Sequence, residues 1–533
     1  MKFNPFEKRF ASKRNPMYSN KGMVATGQPL AAEAGAEILR KGGNAVDAAV
    51  ATAACLTVVE PTSNGIGGDA FALVWMKDKL YGLNASGPAP SDISISKVKS
   101  LGYEEMPKFG FTPVTVPGAP KAWASLIERF GNLTLKEVLE PAVRIAEEGY
   151  PVSTTLGYFW KKAHKAYEKL EGEAFEEWFH TFSFDGPPEV GQVIIMKNHA
   201  KTLRAIGDSN SDSFYKGELA DLIDETSKKY GGFIRKCDLE NFDVEWVDPI
   251  RMNYKGYDVW EIPPNGQGLI ALMGLNTMKH LDVNCYGTVE TLHKQFEAMK
   301  LAFTDGLHYI SDPKAMTVTF DELLSDNYGK KSALRITDEA LEPSVSEPQR
   351  SGTVYLATAD KDGNMVSYIQ SNYMGFGSGI VIPGTGIGMQ NRGHTFSLDE
   401  QHVNALEPNK KTYHTIIPGF ITKDDIGIGP FGVMGGFMQP QGHLQVIMNM
   451  IDFNMNPQDA LDAPRWQWVK DKKFAVESKM SDDVIRQLSM KGHEITMTTE
   501  EGSFGRGQII IRKENGVYVG GTESRTDGHI SIL

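Results

Sequence analysis

One change of pattern divides this chain of 533 residues, and it constrains the fold more than composition does. The first part reads mainly as helix. Residues 313–350 are polar and charged with no long apolar run, and from residue 353 the pattern turns to sheet. Residues 24–58 predict two Ala-rich helices punctuated by Gly42-Gly43, with Asn44 as an N-cap. EPTSNGIGGDAFALVWM (60–76) is a Gly-rich loop running into a strand that ends near Met76. A helical stretch over 118–148 is expected to break at Pro141, and 158–230 is charged and mostly helical. YDVWEIPP (257–264) is a strand closed by a Pro turn. The 288–310 segment is a helix with apolar spacing at Leu292, Phe296, Met299 and Phe303. Past the polar link, TVYLATAD (353–360), the turn Lys361-Asp362-Gly363-Asn364 and MVSYIQSNY (365–373) make a hairpin. More strands follow at GIVIP, HTIIPGFIT, QIIIR and GVYVGG, with helices at 441–453 and 481–491 among them.

Charge narrows the partners. Lys plus Arg is 55 and Asp plus Glu is 67, a formal net charge of −12 with no long basic run, so neither nucleic acid nor an anionic membrane is an expected partner. The longest apolar stretch, Ala45 to Val59, is shorter than the roughly 20 residues of a membrane span and reads as a buried helix. No apolar signal region is visible at the N-terminus, and three scattered cysteines (Cys55, Cys237, Cys285) argue against a disulfide framework. A cytoplasmic location is the expectation.

Several motifs fail on context. Among twelve His residues there is no H-E-x-x-H and no pair four apart, and C-x-x-C is absent, so no metal and no cofactor is expected. Gly427-Ile-Gly429-Pro-Phe-Gly432 fits G-x-G-x-x-G but carries Pro430 where a helix should open, and reads as a turn. Ser94/Lys97 and Ser96/Lys99 fit S-x-x-K without the partner motifs, and Ser378 in GFGSG lacks the spacing of a nucleophile elbow.

Thr353 is different because of where it stands, after Ser351-Gly352 at the junction of polar link and sheet. A Thr hydroxyl is a weak nucleophile unless a base adjoins it, and an N-terminal Thr carries its own base in the α-amine. Cutting the Gly352–Thr353 bond would create that amine, and Gly352 gives the backbone freedom for Thr353 Oγ to reach the preceding carbonyl. Gly435-Gly436 in GVMGGFMQPQGH could present the backbone N–H groups an oxyanion needs.

Taken together, GGNAVDAAVA (42–51), EPTSNGIGGDAF (60–71), VPGAPKAW (116–123), TLKEVLEPAVRIAEEGYPV (134–152), ADKDGN (359–364), GFGSGI (375–380) and GVMGG (432–436) resemble the γ-glutamyltranspeptidase family of N-terminal-nucleophile hydrolases. The resemblance runs from about Met23 to the C-terminal SRTDG. It implies an α+β fold, a four-layer αββα sandwich, and self-cleavage at Gly352–Thr353 into a large portion (1–352) and a small one (353–533). The two are expected to stay associated, with a homodimer as an open alternative. It implies Thr353 as nucleophile, Ser371 supporting its amine and Gly435 and Gly436 as the oxyanion hole.

The donor pocket departs from the family. Ser86 stands where an Arg holds a glutamyl carboxylate, Arg392-Gly393-His394-Thr395-Phe396 lacks the acid that holds an α-amine, and His414-Thr415 replaces a Ser-Ser pair. Ser86, Tyr373, Arg392, Thr395, His414 and Thr415 are therefore the expected substrate-binding residues, in a pocket neutral to cationic. That pattern resembles the transpeptidase-like and cephalosporin-acylase-like branch. It implies an amide hydrolase or acyltransferase acting on small γ-glutamyl-like or glutaryl-like amides, with a true transpeptidase or glutathione hydrolase, and an unprocessed binding protein, as the alternatives.

Overall fold

The first two helices, Pro29–Arg40 (α1) and Ala45–Val59 (α2), show why small residues crowd this region. Asn44 Oδ1 accepts the Val46 and Asp47 amides at 2.8 and 3.2 Å, and the Asp47 carboxylate returns to the Asn44 amide at 2.8 Å, a reciprocal cap. All fifteen residues of α2 are buried. A Cβ at Gly35 of α1 would lie 2.3 Å from Thr52 Oγ1 of α2, so the crossing needs glycine. The computed structural model describes residues 14–343, 352–499 and 501–533.

Other elements that position the site are the strand Asp69–Met76 (β1), the helices Gly268–Met278 (α3) and Val289–Tyr309 (α4), and the hairpin Gly352–Asp360 (β2) with Met365–Tyr373 (β3). The strand Ile426–Met434 (β4) and the helix Met438–Ile451 (α5) complete the set. One seven-stranded sheet runs in the order 529–532, 22–26, β2, β3, β1, 79–85 and 245–247. The second runs 17–19, 518–522, 506–512, β4, 419–423, 257–261 and 250–254. Neighbours in both are antiparallel.

Strand alternation sorts the side chains into layers. Tyr355, Ala357 and Ala359 of β2 pack with Phe71, Leu73 and Trp75 of β1 and with Phe420, Met434 and Ile510 of the facing sheet. Val354 and Leu356, one residue out of phase, join Val50, Ala54 and Val58 of α2 on the outside. On the far side Phe431 and Val433 of β4 pack with residues of α3, α4 and α5. The result is helix, sheet, sheet, helix, as the family resemblance implies.

Three local expectations change. Gly22–Thr26 is a strand beside β2, not the start of a helix. Pro141 does not break the 118–148 stretch: the helices are Ala119–Phe130 and Leu135–Glu148, parted at Gly131, while Pro141 lies inside the second. The G-x-G-x-x-G segment is strand β4 itself, not a turn. Its glycines make room for rings: a Cβ at Gly427 would lie 2.6 Å from the Trp75 indole and one at Gly432 2.4 Å from the Tyr355 ring. Ser94 of the S-x-x-K pattern caps the short helix Ile95–Ser100. Among the described residues no helix is long and apolar enough to cross a membrane.

The hairpin turn is tied to α2. Asp360 accepts the Ala45 amide at 3.0 Å, the Asp362 and Asn364 amides at 2.9 and 3.1 Å and Asn364 Nδ2 at 2.9 Å. Asp360→Ala strands these donors, and the expected loss is about 2 kcal/mol of stability, read as a lower denaturant midpoint at unchanged slope.

Candidate active site

Thr353 lies at the start of β2, fully buried, on the face of Tyr355 and Ala357 that looks between the sheets. Its Oγ is 2.7 Å from the Gly352 carbonyl oxygen and 3.2 Å from Ser371 Oγ. Ser371 donates to the same Gly352 oxygen at 2.8 Å and accepts the Tyr373 amide at 2.8 Å. The hairpin register explains this convergence. Gly352 pairs with Tyr373 but Val354 pairs with Gln370, so β3 carries one extra residue opposite Thr353. Tyr373 takes up the irregularity with a φ of 74°, a left-handed conformation that costs a non-glycine residue about 1–3 kcal/mol. The hydrogen bond its amide donates to Ser371 Oγ and the Arg392 guanidinium 4.3 Å from its ring centre hold it there.

Gly435 and Gly436, with φ of 139° and 61°, turn the chain from β4 into α5. The Gly435 oxygen accepts the Met438 amide at 3.1 Å, and the Gly436 oxygen accepts Gln439 N at 3.1 Å and Gln267 Nε2 at 2.8 Å. With the Gly435 carbonyl directed along the helix, the trans peptide points the Gly436 N–H the opposite way, out of the helix N-terminus. That end of α5 favours negative charge. Gly435 and Gly352 line one cavity of about 320 Å³ together with Phe109, Phe159, Asn391 and Arg506. Arg506 is anchored there by Glu60 at 2.9 Å.

Next to Ser371 lies a buried charged cluster. Asp69, the first residue of β1, is the register partner of Ser371. Its Oδ2 accepts His414 Nε2 at 3.0 Å. Burial pushes the Asp69 carboxyl up to about 7 against the pull of Arg392. Burial, helped by Arg392 and Lys411, holds His414 well below its usual range, so its imidazole is neutral. Arg392 donates from Nη1 to Thr415 Oγ1 at 2.7 Å, and burial lowers it to about 10 with Asp69 opposing. Arg392 Nε and Nη2 are buried without hydrogen-bond partners, while the Gly87 and Gly118 backbone amides lie against the Asp69 carboxylate.

The expected site residues thus divide. Gly352, Thr353, Ser371, Tyr373, Arg392, His414 and Thr415 are linked by direct contacts or through Asp69. Ser86 instead joins Asn84 and Asn265, donating to Asn84 Oδ1 at 2.7 Å. Thr395 fastens its own turn, donating to the Arg392 oxygen at 2.8 Å. His394 bonds the Met106 oxygen at 2.6 Å, away from Arg392. The cluster of expected residues is not simply neutral to cationic, because Asp69 is buried among them. That residue was visible in the GGDAF run without any local pattern to give it a role.

A second cluster has metal-ligand types: His293 and Glu297 on α4 with His493, all buried. Hydrogen bonds and an ion pair engage it in part, while His493 Nδ1 and Glu297 Oε1 are buried without a hydrogen-bond partner. His293 Nδ1 and His493 Nε2 are 2.8 Å apart, His293 Nε2 donates to the Thr337 oxygen at 2.7 Å, and Glu297 pairs with Lys300 at 2.6 Å.

The chain is similar to known proteins along nearly its whole length. The γ-glutamyltranspeptidase family model matches residues 31–533. The glutathione hydrolase-like YwrD proenzyme of Bacillus subtilis is 36% identical over 95% of this chain and 98% of its own length. The oxamate amidohydrolase proenzyme of Klebsiella pneumoniae is 31% identical over 96% and 98%. The crystal structure of cephalosporin acylase from Bacillus halodurans superposes with a TM-score of 0.98 at 56% identity, covering 100% of this chain and 99% of that one. With a self-processing amide hydrolase or acyltransferase architecture throughout, this chain belongs to the γ-glutamyltranspeptidase family.

Proposed function

We propose that the chain cuts itself between Gly352 and Thr353, and that Thr353 then hydrolyses amides whose acyl group ends in a carboxylate. The observation that carries this is the Gly352 carbonyl, which has the Thr353 hydroxyl on it and the Ser371 hydroxyl donating to its oxygen. Ser371 polarises the carbonyl while Thr353 Oγ attacks its carbon. The C–N bond breaks, the nitrogen takes the proton that Thr353 Oγ gives up, and the resulting ester is hydrolysed by water. Residues 1–352 become the large portion and 353–533 the small one.

The new α-amine has an ordinary pKa of about 7.7–8.0, so part of it is neutral near pH 7 and can take the Thr353 hydroxyl proton. Oγ adds to the substrate carbonyl, and we assign the N–H groups at Gly435 and Gly436 to the oxygen that becomes negative. Such a donor is worth about 2.7–4 kcal/mol when removed. The leaving amine departs with the proton, and water releases the acyl group. The unpartnered Nε and Nη2 of Arg392 support a carboxylate at the far end of that group, since two parallel N–H donors match its two oxygens.

A second reading, transfer or hydrolysis of γ-glutamyl groups, is favoured by the buried Asp69 carboxylate, an acid of the kind that accepts from an α-ammonium. Two further parts of the proposal are a cytoplasmic location, for which three free cysteines are the support, and association of the two fragments, with a homodimer as an option that sizing would decide.

Freshly purified protein is expected to show two denatured fragments of about 39 and 20 kDa by residue share, the smaller beginning at Thr353. Thr353→Ala should remain one chain without turnover, and normal turnover by it sinks the assignment. Ser371→Ala is expected to slow self-cleavage on the order of 10²-fold. Arg392→Ala should lower kcat/KM on a glutaryl anilide on the order of 10²-fold, and an unchanged value refutes the carboxylate grip.

A further inference from the structure

We propose that the cavity beside Gly352 receives the amine half of the substrate, and that Arg506 and Lys162 make it a site for an amine built on a flat ring that carries an acid group. The inference deepens the proposed hydrolysis and rests on it. That reading concerns the acyl half of the amide, and this one names what the acyl group is cut from.

The side of the bond comes first. Gly352, whose carbonyl has the Thr353 hydroxyl on it, lines this cavity, and so does Gly435 of the turn into α5. A substrate carbonyl taken by Thr353 Oγ therefore opens onto the same space. In a trans amide the acyl chain and the amine substituent leave the C–N bond on opposite sides. With the acyl group directed toward Arg392, which lies outside the cavity lining, the amine runs into the cavity.

The walls describe the body of that amine. Phe159 and Tyr167 come from the helix Thr154–Tyr167, and Phe109 meets Tyr167 edge to face with ring centres 5.4 Å apart. The Tyr167 hydroxyl is spent on the Met374 and Gly377 carbonyls at 2.9 and 2.8 Å, so its ring is what it offers. A space of about 320 Å³ with such walls suits one substituted planar ring.

Charge describes what the ring carries. Arg506 opens the strand 506–512 as the register partner of Met434, the residue before Gly435. Its Nη1 donates to Glu60 at 2.9 Å and its Nη2 to Ser63 Oγ at 3.3 Å, and its guanidinium lies 4.8 Å from the Phe159 ring centre. Three contacts from two elements thus fix it in place. A Cβ on Gly352 would lie 3.3 Å from Ser63 Cα, so a partner of Arg506 stands directly against the residue that is cut. Glu60 balances one positive charge and Lys162 brings another, while no Asp or Glu occurs among the described residues that line the cavity. Arg506 Nε and Gln467 Oε1, both of lining residues, are buried without hydrogen-bond partners. An amine bearing a carboxylate supplies an acceptor for the first and an N–H for the second. When the C–N bond breaks, this amine leaves with the proton that came from Thr353 Oγ.

The test compares two anilides of one acyl group, the p-nitroanilide and the 3-carboxy-4-nitroanilide, on matured enzyme. The acyl group is glutaryl or γ-glutamyl, whichever the enzyme turns over, so acyl preference cancels in the ratio of the two kcat/KM values. Arg506→Gln should lower the carboxylated-to-plain ratio about tenfold or more relative to wild type. Lys162→Gln, on an exposed helix position, should lower it about two- to fivefold. Raising salt from about 50 mM to about 1 M should lower the wild-type ratio as well. Phe159→Ala should raise KM for both anilides several-fold, and an unchanged KM overturns the ring's place. If Arg506→Gln does not mature, Lys162→Gln and the salt series decide, and a ratio unmoved by both overturns the acid site. An Arg392→Ala variant that changes neither anilide refutes the acyl grip alone, and the ratio still decides here. If neither anilide is turned over, the hydrolysis reading fails. Calorimetry with 5-amino-2-nitrobenzoate and 4-nitroaniline then decides the cavity: tighter binding of the acid, weakened in Lys162→Gln, sustains the site, and equal binding overturns it.

Discussion

Two hydroxyls on one carbonyl set the terms for the rest of this molecule. Thr353 and Ser371 meet at the Gly352 oxygen only because β2 and β3 slip register by one residue at that point. A slip at a strand end would normally fray. Here Tyr373 is held in a left-handed conformation by the Arg392 guanidinium on its ring and by its amide on Ser371. Arg392 is thus tied to the reacting centre by packing as well as by charge. The sheet that carries β2 and β3 is packed with buried apolar side chains on both faces.

Burial is what gives the cluster behind Thr353 its character. In water Asp69 would be fully ionised and His414 would share a proton readily. Inside, the carboxyl rises toward neutrality, the imidazole stays uncharged and the guanidinium is weakened. The acid, the base and the cation are kept within reach without collapsing into a closed ion pair. A closed Asp69–Arg392 pair would satisfy both side chains and leave nothing to hold a substrate.

Much of this could be read from residue order. The 353–373 hairpin was marked by alternating strands around a four-residue turn, and Thr353 by its place after a glycine at the edge of the sheet. The capping of α2 by Asn44 was legible because its chemistry is local. What escaped were the long-range pairings. Asp69 and His414 are 345 positions apart, and nothing near either residue reveals the other. Ser86 and Thr395 were chosen by position within a motif, yet their hydroxyls are spent on neighbouring amides and carbonyls. The helical pattern over 24–58 does not reveal the strand that runs to Thr26, because Ala and Met suit either state and only the β2 edge decides for strand. The boundary lies at Gly131 instead of Pro141 because the Asn132 and Leu133 amides close on the Asp47 carboxylate and Thr134 caps the next helix.

The order of strands in the first sheet has a consequence for durability. β2 lies between Gly22–Thr26 and β3, and the last strand, His529–Ile532, closes on the other edge of Gly22–Thr26. A chain divided at Gly352 therefore has its two pieces interleaved, each contributing neighbours to the other's strands, and neither can leave without dismantling the sheet. Holding together is then easy, but returning is not. Once thermally unfolded, the divided protein must find its way back as two separate molecules, so recovery depends on dilution, whereas the undivided precursor refolds as one. Maturation in this architecture converts a reversible fold into a one-way object whose working life is set by how slowly it opens.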